Sequence, residues 1–275
     1  MPPAGVISDK QLGAPFLRWA GSKRRLLPTL RTFWRKDHKR YIEPFAGSAC
    51  LFFSLQPRRA ILGDLNSELI STYLEVKHRV DGVVRALARL RPAKVQYNWL
   101  RALNPDGLKP SIRAARFIYL NRFCFNGLYR TNLKGQFNVP YSGDRCGRLP
   151  SRDLLRKCSY QMRGTRLIDG DFERVLQLAE RGDFIYMDPP FAVRGRRVFR
   201  EYDPNTFTTD DIPRLRSWMD RLDAAGATFV VSYAESDEAD LLRRGFAHQV
   251  VSVRRNIAGF SGHRSNSNEV LISNA

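Results

Sequence analysis

Short apolar strands alternate with amphipathic helices at both ends of this chain, and this alternation constrains the fold more than any other feature. Repeated strand–helix–strand units build sheets whose strands run mainly parallel. The strand at 184–187 is apolar throughout, which is typical of a parallel strand covered on both faces. No helix separates the last two strands, so we expect them to be antiparallel neighbours in an α/β sheet. The predicted strands cover residues 41–45, 59–64, 165–168, 184–187, 227–233, 248–253 and 269–273.

The middle of the chain interrupts the alternation. Helical stretches near 81–91 and 111–123 are followed by a long polar segment rich in arginine, asparagine and glycine. We interpret this part as an inserted domain of helices and a loop or hairpin. The predicted boundaries give one domain from residues 1–66 and 151–275, with residues 67–150 inserted into it. Elsewhere, apolar residues at helical spacing predict helices at 23–36, 172–181, 209–225 and 237–244.

The chain is strongly basic. Its 275 residues include 46 Lys and Arg against 27 Asp and Glu, a net charge of +19. With 43% hydrophobic residues it can bury a core, which excludes a disordered basic tail. No apolar run approaches the roughly 18 residues that a membrane span needs, and the N-terminus lacks the pattern of a secretory signal. The charge is either an ordinary solvated surface or the surface for a polyanion, and we favour nucleic acid.

The cysteines do not predict a metal site. None of the four forms a CxxC pair, and the histidines do not cluster near them. We therefore expect no metal, and free thiols in a reducing cytoplasm.

Two features point to a nucleoside-containing cofactor. Small residues at Gly47 and Ser48 follow the first strand and allow a ligand close to the backbone at a helix N-terminus, although packing alone also explains such turns. Asp64 ends the next strand, where a carboxylate commonly accepts both hydroxyls of a ribose. Its alternative role is to cap the following helix, for which Asn66 competes. These features do not separate a nicotinamide dinucleotide from S-adenosylmethionine, but the GxGxxG pattern is missing.

The tetrapeptide Asp188-Pro189-Pro190-Phe191 directly follows the buried strand. Two prolines hold the backbone in an extended turn. Asp188 and the Pro189 carbonyl can accept the two hydrogens of an exocyclic amine, while Phe191 can stack on a planar heterocycle. The alternative is a rigid loop that only ends a strand.

Two further segments combine aromatic and polar residues. The first runs from Phe16 to Lys23, where a cation at a helix start is unfavourable unless it meets a carboxylate. The second runs from Tyr119 to Tyr141 and suits a surface that reads base edges and binds phosphates, although a core helix followed by a hairpin fits equally well. Basic residues also lie at 194–200 and 254–264, either as solvated faces or as phosphate contacts.

In this order the motifs resemble the adenine-N6 DNA methyltransferases of the DNA adenine methylase type, from about Pro15 to Ser273. The most specific parts are FLRWAGSK, YIEPFAGSA, YLNRFCFNGLYR with NLKGQFNVP, and DPPF. The resemblance implies a Rossmann-like, seven-stranded, S-adenosylmethionine-dependent methyltransferase sheet with an inserted, mainly helical target-recognition domain. It also implies double-stranded DNA as the partner, and we expect a monomer that acts in the cytoplasm without a membrane.

The family pattern carries roles over to particular residues. The catalytic residues would be Asp188, Pro189, Pro190 and Phe191. The residues that contact S-adenosylmethionine would be Trp19, Lys23, Asp64 and Asp188, with Glu43 and Phe45 lining the same pocket and Asp171 and Phe172 beside the cofactor adenine. Phosphate contacts would be Arg122, Asn132 and Asn138; Phe125 and Asn126 would enter the duplex beside the flipped base; Leu128, Arg130 and Pro140 would read bases.

The chain departs from the family pattern at four places. Ala49 stands where a second glycine is usual, and Phe125 and Phe191 each replace a usual tyrosine. The sequence after Tyr141 lacks the usual basic and aromatic run, so recognition of the outer bases is left open, and the resemblance implies GATC or a related short site only as an expectation.

The predicted reaction is methyl transfer from S-adenosylmethionine to N6 of a flipped adenine. The alternatives are methylation of cytosine N4 or of RNA adenine, and a catalytically inactive DNA-binding protein on the same scaffold. The acid before the two prolines favours adenine, and the inserted domain favours duplex DNA.

Overall fold

The fold is built on one seven-stranded sheet with the strand order β3-β2-β1-β4-β5-β7-β6. A computed structural model describes residues 13–132, 134–143, 147–190, 207–254 and 266–275. The strands are β1 (Tyr41–Glu43), β2 (Ala60–Asp64), β3 (Thr165–Asp169), β4 (Phe184–Met187), β5 (Thr228–Ala234), β6 (Ala247–Arg254) and β7 (Asn266–Ser273).

Strands β1 to β5 are parallel, and the chain order reverses between β1 and β4. Ligands in open α/β sheets bind beyond the carboxyl ends of the strands at such a switch point. The predicted antiparallel pairing of β6 with β7 is confirmed. Strand β7 also pairs antiparallel with β5, so it lies inside the sheet and β6 forms the edge.

Nine α-helices are present in the described residues. They are α1 (Leu27–Leu30), α2 (Cys50–Leu55), α3 (Ser67–Ala88), α4 (Lys94–Ala102), α5 (Pro110–Phe123), α6 (Arg152–Gln161), α7 (Glu173–Leu176), α8 (Asp211–Ala224) and α9 (Asp237–Leu242). None of those in the described ranges is long and apolar enough to cross a membrane.

The helix predicted at 23–36 is wrong as a single element. The structure has α1 there, between two short 3₁₀ helices. Pro28 lies in the first turn of α1, because proline lacks the N–H that an interior position would need. The helix predicted at 172–181 is limited to the four residues of α7, while α4 and α6 were not predicted.

A continuous core joins the sheet to the middle of the chain. One apolar cluster includes Phe184 of the sheet, Tyr73 and Val83 of α3, and Ile118 of α5, all fully buried. Helix α3 therefore packs against the sheet and against α5. A second apolar cluster on α4 and α5 includes Tyr97 and Phe123. The domain boundaries at residues 66 and 150 stay a prediction.

Candidate active site

Three acidic side chains lie at the carboxyl ends of adjacent strands. Glu43 ends β1, Asp64 ends β2, and Asp188 directly follows β4. Because these strands are parallel neighbours around the switch point, the three residues share one edge of the sheet. The residues predicted from strand ends are thus brought together by the fold.

Lys23 is the cation of this edge. Its side chain is buried, and its Nζ lies 3.1 Å from Asp188 Oδ1 and 3.1 Å from Glu269 Oε2. A lysine near a helix start was predicted to meet a carboxylate, and the structure shows two. Glu269 comes from β7, 246 residues further along the chain, and no local sequence pattern predicts it at this edge.

Asp188 is held through one carboxylate oxygen. Ser232 Oγ donates to Oδ1 at 3.0 Å, and the Ser232 hydroxyl also bonds the buried Tyr186 hydroxyl at 3.0 Å. Burial raises the pKa of Asp188, while Lys23 and Ser232 act in the opposite direction. The side chain keeps 21% exposure, so it remains open to a ligand. Pro189 is buried and Pro190 is exposed.

Glu43 lies below the site and is almost fully buried. Tyr41 donates its hydroxyl to Glu43 Oε2 at 2.8 Å. Burial raises the pKa of Glu43 well above its usual value, and the nearby Asp188 and Asp64 carboxylates add to this. Such a group favours its neutral form, because an isolated buried carboxylate is costly.

Asp64 organises the turn after β1. Its two carboxylate oxygens accept from the backbone N–H groups of Gly47 and Asn66, both at 2.9 Å. The competing cap is Asn66, whose side chain accepts from Leu69 N at the start of α3. Asp64 therefore does not cap the helix with its side chain, and it fixes Gly47 beside the switch point.

Trp19 lies against the turn at Gly47. A Cβ at Gly47 would come within 2.8 Å of Trp19 Cδ1, and Gly47 has φ +46°. The indole stacks on Tyr129 at 6.1 Å and on Phe117 at 6.5 Å between ring centroids. The Phe16–Lys23 segment therefore touches both the Gly47 turn and the segment from Tyr119 to Tyr141, which we call the recognition segment.

A Gly47→Ala variant should be less stable by about 1–2 kcal/mol, because alanine is strained at positive φ and its methyl would displace the indole. Urea unfolding and the tryptophan emission spectrum measure the two effects. Gly245→Ala is the matched control, since Gly245 has φ +76° and no neighbouring heavy atom within 4 Å. Equal losses in both variants with unchanged emission would show that the Trp19 contact has no effect.

Ala49 occupies the position where glycine is usual. Its φ is +50°, in the left-handed region, and it precedes α2. Its side chain is 1% exposed and packs in the core. The extra methyl therefore lies in the protein interior and does not enter the Gly47 turn.

An aromatic group lies beyond β1 and β3. Phe45 stacks on Phe172 at 5.3 Å between centroids. Arg214 lies over the Phe172 ring at 4.9 Å and pairs with Asp171 at 2.9 Å. Asp171 also accepts from Glu173 N at 3.0 Å. These residues form one wall of the site at this edge of the sheet. The Asp171 carboxylate already accepts hydrogen bonds from Arg214 and from the backbone N–H of Glu173.

The recognition segment is tied to the N-terminal motif by a buried amide. Asn121, near the end of α5, accepts from Arg18 N at 2.9 Å, and its side-chain amide donates to Arg18 O. Arg122 follows it, donates from Nε to Arg148 O at 2.6 Å, and lies near Arg18 and Arg24. Burial and these two cations lower the pKa of Arg122 to about 10. Clustered cations of this kind favour an anionic partner.

A turn and a hairpin follow α5. Asn126 lies in the 3₁₀ turn Phe125–Gly127 with φ +56°. Leu128 is half-buried, while Pro140 is exposed and its carbonyl accepts from Phe125 N at 2.9 Å.

The hairpin brings its polar residues together by local hydrogen bonds. Arg130 Nε donates to Asn138 Oδ1 at 2.7 Å. Asn132 Oδ1 accepts from the backbone N–H groups of Lys134 and Gln136, both at 3.0 Å. The predicted DNA-contacting residues of α5, the turn and the hairpin are thus placed in one continuous segment.

Some predicted residues lie outside the described ranges. They are Phe191, the basic residues 194–200, and residues 255–264 of the second basic segment.

Known proteins match nearly the whole chain. A family model described as D12 class N6 adenine-specific DNA methyltransferase matches residues 19–257. The chain is 34% identical to the Type II methyltransferase M1.LlaDCHI of Lactococcus lactis subsp. cremoris, over 94% of this chain and 95% of that protein. It is 33% identical to the Type II methyltransferase M.MjaIII of Methanocaldococcus jannaschii, over 88% and 92%. It is 31% identical to the DNA adenine methylase of Escherichia coli, over 93% of both. With this match spanning the strand-end site and the recognition segment, the chain belongs to the D12 class of N6 adenine-specific DNA methyltransferases.

Proposed function

We propose that this protein is a site-specific enzyme that methylates N6 of a flipped adenine in duplex DNA, with S-adenosylmethionine as the methyl donor. The observation that carries the proposal is the Asp188 carboxylate. It lies at the switch point, is fixed through Oδ1 by Lys23 and Ser232, and keeps 21% exposure. The action as a monomer in the cytoplasm is part of the same proposal.

The residues around the switch point fit S-adenosylmethionine. The Gly47 turn lies beyond the carboxyl end of β1 at the switch point, and Trp19 packs against it where a Cβ would stand. Phe45 and Phe172 supply an aromatic wall for a purine. The cofactor would supply an electrophilic methyl group carried on a sulfonium. The residues that would hold it are Trp19, Lys23, Glu43, Phe45, Asp64, Asp171, Phe172 and Asp188.

Asp188 and the Pro189 carbonyl would act on the adenine amine. The lone pair of that nitrogen is delocalised into the ring, so the amine is a poor nucleophile. Two acceptors for its hydrogens favour a pyramidal nitrogen and stabilise the positive charge that develops on it. Phe191 is proposed to stack on the flipped base. Holding the amine in line with the methyl group supplies the remainder of the rate enhancement.

The recognition segment would bind the duplex. The proposed phosphate contacts are Arg122, Asn132 and Asn138; the proposed residues inside the duplex are Phe125 and Asn126, with Leu128, Arg130 and Pro140 reading bases. Each phosphate neutralised by a cation should steepen the log–log salt dependence of binding by about 0.9. The recognition sequence is left open by this proposal.

A methylation assay with labelled S-adenosylmethionine tests the function. We expect label on N6 of adenine in duplex DNA, and sequencing of DNA from cells that express the protein gives the methylated motif. Label on cytosine N4, or on RNA in preference to duplex DNA, would support the alternative substrates. Duplex binding without cofactor binding or methyl transfer would instead identify an inactive binding protein.

The pH dependence of the reaction should reflect Asp188. Burial raises the pKa of this carboxyl, and only its ionised form carries the negative charge that stabilises the positive charge developing on the amine. The turnover number should therefore fall on the acid side at a pH above the ordinary aspartate value of about 3.9. A pH profile of kcat with saturating DNA and cofactor measures this limb. A limb at or below the ordinary value would contradict the assignment.

A further inference from the structure

Glu269 completes the buried charge cluster at the switch point. Strand β7 pairs antiparallel with β5 and with β6, which places Glu269 opposite Ala234 and Val251. This register brings Glu269 to the carboxyl end of β5, beside the site. Its side chain is 5% exposed, and its Oε2 lies 3.1 Å from Lys23 Nζ.

In the part of the chain that the structure describes, the cluster has two carboxylates around one ammonium. Lys23 lies equally close to Asp188 and to Glu269, at 3.1 Å in each case. Lys23 is 4% exposed, so solvent screens these interactions weakly. The ammonium therefore divides its charge between the two carboxylates, and Asp188 is only partly neutralised by it.

We infer that Glu269 is a positioning residue that holds Lys23 away from full pairing with Asp188, so that the Asp188 carboxylate stays available as an acceptor for the substrate amine. The inference rests on the proposed function and deepens it. Without the Glu269 carboxylate, Asp188 would be the nearest anion to the ammonium among the described residues. A carboxylate that is tightly paired with an ammonium is a weaker acceptor for a neutral amine.

Several other groups near Asp188 raise or lower its pKa. Ser232 and Lys23 favour the carboxylate, while Glu269 disfavours it as a like charge. Tyr186 donates to Ser232, whose one hydroxyl hydrogen goes to Asp188, and the buried Glu43 carboxyl is also near enough to interact with Asp188. Removing the negative charge of Glu269 should therefore lower the pKa of Asp188, since the other groups stay in place.

The test compares Glu269→Gln with the wild type. We expect kcat to fall roughly 10- to 100-fold with a small change in the KM for the cofactor, because Asp188, the acceptor for the amine, would pair more closely with Lys23. The acid limb of the kcat profile should move to lower pH, which loss of packing alone would not cause. An unchanged kcat, or a loss in which the acid limb does not move, would overturn the inference.

Glu235→Gln is the matched control. Glu235 follows β5 and pairs with Asn268 Nδ2 at 2.8 Å, but it is exposed and contacts the strand on the solvent side. This variant should keep kcat and the acid limb of the wild type. Thermal unfolding of both variants identifies a folding defect.

A titration without substrate tests the positioning role of Glu269 separately from the proposed methyltransferase function. The carboxyl ¹³C signal of Asp188, assigned by its absence from Asp188→Asn, should titrate at lower pH in Glu269→Gln than in the wild type. If the wild type methylates no nucleic acid, the proposed function fails, yet this titration still tests the charge coupling. If methylation occurs and the titration does not move, the positioning role of Glu269 fails alone.

Discussion

Replacing Asp188 with alanine should lower methyl transfer by about 10³-fold and leave duplex binding nearly unchanged. The change removes the carboxylate that Lys23 and Ser232 fix at the switch point. The adenine amine would then lose the acceptor that stabilises its developing positive charge. The recognition segment lies on α5 and the following hairpin, so its duplex contacts do not depend on this carboxylate.

Single-turnover methylation and duplex binding measure the two effects separately. Asp188→Asn keeps the shape of the side chain and removes its charge, so it should also be strongly impaired. Asp169→Ala is the matched control, because Asp169 ends the parallel strand β3 next to Asp64 but lies outside the Lys23 cluster. If Asp188→Ala kept near-normal turnover, the proposed chemistry would be wrong.

The part of the site that could be predicted from sequence is the part built from local signals. Asp188 follows an apolar strand, Asp64 ends another, and Gly47 follows a third, so strand prediction alone places them at one edge. The recognition segment was identified by its aromatic, amide and basic residues. Each of these features is contiguous in the chain, so it can be recognised without knowledge of the tertiary contacts.

The site residues that sequence patterns do not predict depend on contacts between distant parts of the chain. Glu269 reaches Lys23 only because β7 inserts between β5 and β6, and no local pattern specifies this register. Ser232 lies in the middle of an apolar strand, where its hydroxyl looks like an ordinary buried polar group. Asn121 binds the backbone of Arg18 across 103 residues of chain. A strand pattern predicts that an edge exists, but tertiary packing decides which polar residues complete it.

The second large effect is expected from Glu68, which pairs with a buried arginine between α3 and α5. Arg116 is 3% exposed, and its Nη1 lies 3.1 Å from Glu68 Oε1. Arg116 also donates to the Leu100 carbonyl at 2.8 Å, and Tyr129 donates to Glu68 Oε2 at 3.2 Å. Burial lowers the pKa of Arg116, and the charge of Glu68 opposes that shift. The ion pair therefore joins α3 to α5 and, through Tyr129, to the recognition segment.

A Glu68→Gln variant should lose about 3 kcal/mol of unfolding free energy, because it leaves a buried guanidinium without its counter-charge. Urea unfolding at neutral pH measures this loss. Asp81→Asn is the matched control on α3: Asp81 and its partner Arg156 are 56% and 52% exposed, and such pairs contribute about 0.2–1 kcal/mol. Similar losses in both variants would mean that Arg116 reaches water when Glu68 is changed. A large loss in Glu68→Gln alone would instead show that the buried charge pair stabilises the packing of α3 against α5.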